Sequence, residues 1–342
     1  MNRRELLKLA AALPATAAFP YAARAETLLR MSSWLPPQHV LHKDVMQVWA
    51  KEVTEASNGR LRINTLPKPV TAPPGTFDAV ADGIVEIAFN VHGYTPGRFV
   101  ATNIAEFPGA GDSAEAASVA YQRVYDKHMA QHGEHGDLKV LAVFTNGPGH
   151  IFNSKRPIAR LEDLQNLRVR VGGGIVNELA DLLGVSAVLK PASESYELMS
   201  AGIVDGLFFP VEPIITFKLD RLVRYGTLIP GGLYNTSWAV VMNKAAFDKL
   251  AAEDQEAIEK VSGEHLARLA GKTQDKNDAH ALELVNAAGI EMITADAAFM
   301  GQIEERMKPL QEAWLKKVEA RGVDGAQLLR AWGEELAGAT NG

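Results

Sequence analysis

The chain has 342 residues, enough for two domains of ordinary size, and its apolar and charged shares of 47% and 22% are those of a soluble globular protein. A net charge of −6 argues against nucleic acid as the main partner. The absence of cysteine excludes disulfides, thiolate catalysis and Cys-ligated metals.

Residues 1–25 read as an export signal. Arg3, Arg4 and Lys8 form a cationic start, Leu9–Phe19 is a short apolar run, and Ala23-Arg24-Ala25 has the form of a cleavage site. The twin arginines fit a twin-arginine signal or an ordinary secretory one, and either route leads to the periplasm. With no cysteine to carry a lipid, the mature protein is expected to be free there. No later stretch is apolar over a bilayer's thickness, so it is not expected to be membrane-embedded.

Leu28–Trp34 has the pattern of a strand, followed by a Pro36-Pro37 turn. Val45, Val48, Trp49 and Val53 have helical spacing over His42–Ser57. Asn58-Gly59 ends that helix and Arg60–Leu66 alternates as a strand, so the chain opens β-α-β, the unit of parallel sheets. Residues 76–90 (TFDAVADGIVEIAFN) are echoed by 195–209 (SYELMSAGIVDGLFF). Each copy predicts a helix, a Gly-Ile-Val-acid turn and a short strand. Each lies downstream of an arginine-bearing strand, Arg60–Leu66 and Leu167–Val171. The repeat predicts two similarly built α/β lobes, with Asn90 and Phe209 at equivalent strand ends. Ligands of open α/β sheets sit beyond such ends. Farther on, Asp248–Ala288 predicts one long helix or two nearly continuous ones, Gly289–Ile293 a returning strand, Gln302–Arg321 a helix, and Gly338–Gly342 a disordered tail.

Arg170 carries a fork of donors suited to a carboxylate, or to a structural ion pair. Phe208 and Phe209 alternate, so one faces the cleft. Trp34 and Trp238 could stack on a ligand or fill the core. His39, His92 and His150, with Asn90, Tyr94 and Asn235, are polar candidates at loops or strand ends. Gly172-Gly173-Gly174 lacks the lysine of a nucleotide loop and is expected to let backbone pass near the cleft. His128, His132 and His135 have zinc-like spacing but no acid between the first two to act as a base.

In order along the chain, the pieces Met31–Pro37, Phe77–Ala88, Asn153–Ile158, Leu161–Val171, Val204-Asp205-Gly206 and Trp238–Leu250 resemble the periplasmic solute-binding subunits of TRAP transporters, the dicarboxylate-binding-protein-like (DctP) group. The resemblance implies a two-lobed α/β fold with hinge strands and a long helix across both lobes. A small organic acid is held between the lobes and passed to membrane permease subunits driven by an ion gradient. It implies no catalysis and no cofactor. The family's carboxylate-clamping arginine matches Arg170. A second arginine of some relatives is His150 here, and the asparagine of sugar-acid relatives is Phe209. Both departures favour a smaller or more apolar acid, an aromatic or apolar 2-hydroxy or 2-oxo monocarboxylate. Lobe I is expected to span 26–147 plus 235–275, lobe II 148–234 plus 276–336, with 337–342 as tail. A secreted metal-dependent hydrolase and a ligand-presenting sensory module are the alternatives.

Overall fold

The computed structural model describes residues 26–341, and the predicted export signal lies outside the described residues. The strands are β1 (Thr27–Ser32), β2 (Leu61–Thr65), β3 (Ile87–Val91), β4 (Leu138–Thr145), β5 (His150–Asn153), β6 (Arg168–Val171), β7 (Ser186–Leu189), β8 (Gly206–Phe209), β9 (Tyr225–Leu228), β10 (Ser237–Asn243) and β11 (Glu291–Thr294). The helices used below are α1 (Gln47–Ala56), α2 (Thr76–Ala81), α3 (Ala114–Val124), α4 (Ile175–Leu182), α5 (Ser195–Ser200), α6 (Glu264–Ala287), α7 (Ala297–Glu319) and α8 (Gly325–Asn341).

Two sheets divide the chain into lobes. Lobe I is built on the order β2-β1-β3-β10-β4 and lobe II on β11-β9-β5-β8-β6-β7. In each, β-α-β units make a parallel part, and strands adjoining the crossings between lobes run antiparallel beside it. The chain crosses at residues 146–149 and 229–236. These crossings are tied together where Gly149 N donates to Tyr234 O (2.7 Å) and Leu233 N to Gly149 O (2.9 Å).

The internal repeat is real in three dimensions. α2 and α5 each end in a glycine of positive φ, Gly83 (+68°) and Gly202 (+64°), where a side chain would be strained. The acid that follows, Glu86 or Asp205, accepts from both the backbone and the side chain of an arginine on the neighbouring parallel strand. Arg30 meets Glu86 at 2.7 and 2.9 Å, and Arg168 meets Asp205 at 3.1 and 3.0 Å. Met31 then pairs with Ile87 as Val169 pairs with Gly206. The counterpart of Leu167–Val171 is therefore β1, not Arg60–Leu66 as expected, because only β1 lies beside the strand that follows the acid. In this frame Ser32 corresponds to Arg170, and Asn90 to Phe209.

As expected, Asp248–Ala288 holds two nearly continuous helices, Ala252–Lys260 and α6, and Gly263 at φ +58° donates to Leu141 O at the break between them. The C-terminal end differs from expectation. The segment read as a tail continues as α8 to Asn341, because Leu328 and Trp332 are buried and Leu336 packs beside them. That helix lies on lobe I rather than lobe II: Glu335 pairs with Arg123 of α3 and with Lys127.

α6 spans both lobes. Leu266, Ala267 and Ala270 belong to the core of lobe I, and Ala281 and Val285 to that of lobe II. Between them, Asp275 accepts from Ser113 Oγ (2.8 Å) at the start of α3. One turn on, Asp278 accepts from Glu212 N (2.7 Å) at the start of the short helix Glu212–Thr216. Each carboxylate fills orphan donors of a helix N-terminus, one per lobe.

Candidate functional site

The facing strand ends enclose a small chamber between the lobes. Lobe I contributes Trp34, His39 and Tyr94, lobe II contributes Arg170, Phe209 and Glu212, and the hinge side contributes Asn146, Tyr234 and Gln274. Arg170 is only 2% exposed, yet among the described residues it has no ion-pair partner. Its Nε donates to Lys190 O (2.8 Å), its Nη2 lies 3.5 Å from Tyr94 Oη, and its Cζ stands 4.4 Å above the Phe209 ring. The stacking and these neutral acceptors fix the fork but leave its charge uncompensated.

The aromatic wall is equally organised. Trp34 Nε1 donates to Asn90 Oδ1 (2.9 Å), whose Nδ2 donates to Pro73 O (2.8 Å). Trp34 stacks on Trp238 (5.9 Å, 10°), which stacks on Phe144 (5.9 Å, 12°). Across the chamber, Phe209 lies parallel to Phe217 (6.4 Å, 8°). Trp238 Nε1 and Gln274 Oε1 are buried without a hydrogen-bond partner. Both line the chamber, so a donor and an acceptor await a guest there.

Direct contacts join the lobes at the chamber's edge. Ala192 N of lobe II donates to Tyr94 Oη of lobe I (2.9 Å). Gly93 and Gly173 meet backbone to backbone: a Cβ on Gly93 would stand 2.6 Å from the Gly173 carbonyl carbon. Gly174 precedes α4, and Ile175 N there donates to Glu106 of lobe I (2.9 Å). Burial lifts Glu106 to about 7. Gly173 thus lets backbone pass close to the other lobe, as expected from sequence, while Gly174 makes room for the Glu106 side chain.

Six of the residues singled out in the sequence line the chamber: Trp34, His39, Tyr94, Arg170, Phe209 and Trp238. Four do not, each being tied into its own surroundings by at least one hydrogen bond. Asn90 braces Trp34 from behind. His92 bonds Ser237 (2.6 Å) and His135 (2.9 Å) inside lobe I. His150 Nδ1 accepts from Ile229 N (3.1 Å), and burial pushes it down to about 4. Asn235 Nδ2 donates to Asn146 O (3.0 Å). Glu212, Phe217 and Gln274 were not read from sequence. Glu212 lies three residues beyond Phe209 and was within reach of a strand-end argument; Gln274, on a helix of uniformly polar pattern, carries no such signal. The zinc-like histidines do not converge, and among the described residues no three metal-binding side chains cluster. His135 is buried against His92, whereas His132 is exposed.

The chain matches the family "Bacterial extracellular solute-binding protein, family 7" over residues 31–317. It is 32% identical over 331 residues to the outer membrane transporter protein TsaT of Comamonas testosteroni, covering 96% of this chain and 97% of that one. Its fold is similar to a TRAP periplasmic solute binding protein of Bordetella bronchiseptica with bound (R)- and (S)-mandelate. That structure gives a TM-score of 0.89 at 41% identity, over 91% of this chain and 99% of that one. It is also similar to a marine metagenome TRAP solute binding protein in complex with 3-hydroxybenzoate, with a TM-score of 0.87 at 31% identity, over 92% and 99% of the two chains. A buried, unpaired guanidinium in a chamber between hinged lobes is what an organic-acid receptor needs, and the chain belongs to family 7 of the bacterial extracellular solute-binding proteins, the non-catalytic periplasmic receptors of TRAP transporters.

Proposed function

We propose that the chamber binds an aromatic or apolar monocarboxylic acid, of the 2-hydroxy or 2-oxo class, and that the loaded protein presents it to TRAP permease subunits. The observation that carries this reading is the buried Arg170 with no counter-charge. Burying an unpaired charge is costly, and a carboxylate in bidentate contact would offset that cost. The rings of Trp34, Phe209, Phe217 and Trp238 suit a flat apolar body. The orphan atoms of Trp238 and Gln274 suit an oxygen on the neighbouring carbon. Mandelate and 3-hydroxybenzoate, held by the two similar structures, are both aromatic monocarboxylates, and mandelate carries a 2-hydroxyl.

The lobes are proposed to move as bodies divided near 147/148, 234/235 and within α6 near 275/276, with Asp275 and Asp278 holding one body each. Residues 1–25 are proposed to direct export by the twin-arginine or the general secretory route. A thermal-shift series with mandelate, phenylglyoxylate, benzoate and succinate tests the ligand reading. A rise in Tm with the aromatic monocarboxylates and none with succinate is expected. The reverse order would overturn it.

A further inference from the structure

Arg170 marks one pole of the chamber, and a second polar pair stands at the other end of the aromatic strip. From Arg170 the strip runs through Phe209 to Phe217, whose ring centre is 5.9 Å from that of His39. His39, from lobe I, and Glu212, from lobe II, are each 5% exposed at the side chain, and His39 Nε2 lies 3.9 Å from Glu212 Oε2. That gap is too long for a hydrogen bond. The remaining atoms of both side chains are engaged. His39 Nδ1 accepts from Leu41 N (3.2 Å), and Glu212 Oε1 accepts from Thr216 Oγ1. Burial and the neighbouring His42 push His39 down to about 4, so the ring is neutral and its single proton is on Nε2. Nε2 is then a donor, and Oε2 of Glu212, which burial pushes up to about 7, is an acceptor in the ionised form. Both lie within the chamber wall, and neither has a hydrogen-bond partner among the described residues.

We propose that His39 and Glu212 form a hydroxyl-binding subsite that receives a ring hydroxyl of the ligand, at the end remote from its carboxylate. A ring hydroxyl both accepts and donates well through one atom, so it can accept from His39 and donate to Glu212 at once. Because the two residues belong to different lobes, the bridge also joins the lobes across the ligand. The preferred guests are therefore hydroxylated aromatic acids. This subsite rests on the carboxylate reading above.

Calorimetric titration of the exported protein with mandelate, 3-hydroxymandelate and 4-hydroxymandelate tests it, in wild type, His39→Phe and Glu212→Met. One hydroxylated isomer should bind wild type about tenfold more tightly than mandelate, as a hydrogen bond to a charged or strongly polar group warrants. That ratio should collapse towards one in both variants. Because the variants alter different lobes, misfolding of one leaves the other to decide. No gain from either hydroxyl in wild type, or a gain that survives both substitutions, overturns the subsite while leaving the carboxylate reading standing. If none of the three acids binds wild type, the carboxylate reading falls, and the subsite with it.

Discussion

At the strand ends that face each other, lobe I presents Ser32, Trp34 and Asn90 where lobe II presents Arg170, Gly172 and Phe209. The scaffold behind them is the same in both: helix, positive-φ glycine, acid, strand, and an arginine on the adjoining strand bonded to that acid. Two copies of one unit have thus been given opposite chemistry. Lobe II supplies the cation and the ring beneath it, and lobe I supplies a braced aromatic wall. The structural arginines of the repeat sit two residues before the chamber-end positions Ser32 and Arg170 and are half exposed, at 45% for Arg30 and 48% for Arg168. Two residues farther along lobe II's strand the guanidinium enters the chamber. Position within the unit, rather than residue type, separates the chamber-facing arginine from the scaffold arginine.

The largest expected effect tests that asymmetry directly. Arg170→Ala should weaken binding of mandelate by about 2–5 kcal/mol, as for truncating one partner of a buried charge pair, read by calorimetry. Arg168→Ala, two residues away, provides the opposing arm below. The interior of lobe I offers a second contrast, because it keeps two histidines uncharged in mutual contact. Burial, aided by the Arg98 charge, pushes His135 down to about 3. A histidine held neutral in the fold stabilises it above the unfolded value of 6.5 and progressively less below. Stability should fall between about pH 6.5 and 3, by about 3 kcal/mol at pH 4.5 from this group. His135→Gln should remove that part of the acid slope in denaturant melts, whereas an unchanged slope would show that the group is not held neutral.

Closure comes next in size. Gly93→Ala places a methyl group against the Gly173 backbone, which cannot rotate away, so the lobes must stay apart. Affinity should drop by about 1–3 kcal/mol, the usual cost of overpacking, with the melting temperature of the ligand-free protein unchanged. Small-angle scattering of the ligand-saturated variant should then report a larger radius than wild type. Smallest of all on binding, Arg168→Ala and Arg30→Ala remove half-exposed arginines from acids that are 9% and 20% exposed, so both should leave affinity unchanged and lower stability by about 1 kcal/mol. A loss of affinity in either would break the division between scaffold and binding arginines.

The sequence revealed one side of the site better than the other. Arg170 was legible because the resemblance aligned it with the family's clamping arginine, since a two-residue period puts it on the same face as Arg168; Phe209 because the alternation and the repeat set it apart from Phe208, and Trp34 because it follows a strand. The hinge contributions were not. His150 and Asn235 sit at strand or crossing positions where function is expected, but His150 Nδ1 and Asn235 Nδ2 are tied to the backbone of the crossing chains and neither residue lines the chamber. Gln274 enters the chamber only because α6 crosses both lobes at that turn, a fact of assembly rather than of local pattern. The pairing of the arginine strands went astray for a related reason. β1 and β2 both carry arginine, and only sheet order shows which one adjoins the acid.

The central claim is that the charge of Arg170 awaits a carboxylate. Titrating the wild-type protein with mandelate and with mandelamide, its neutral counterpart of nearly equal shape, tests this most directly. Binding of the acid with no detectable heat from the amide is the predicted result; comparable affinities for the two would contradict it.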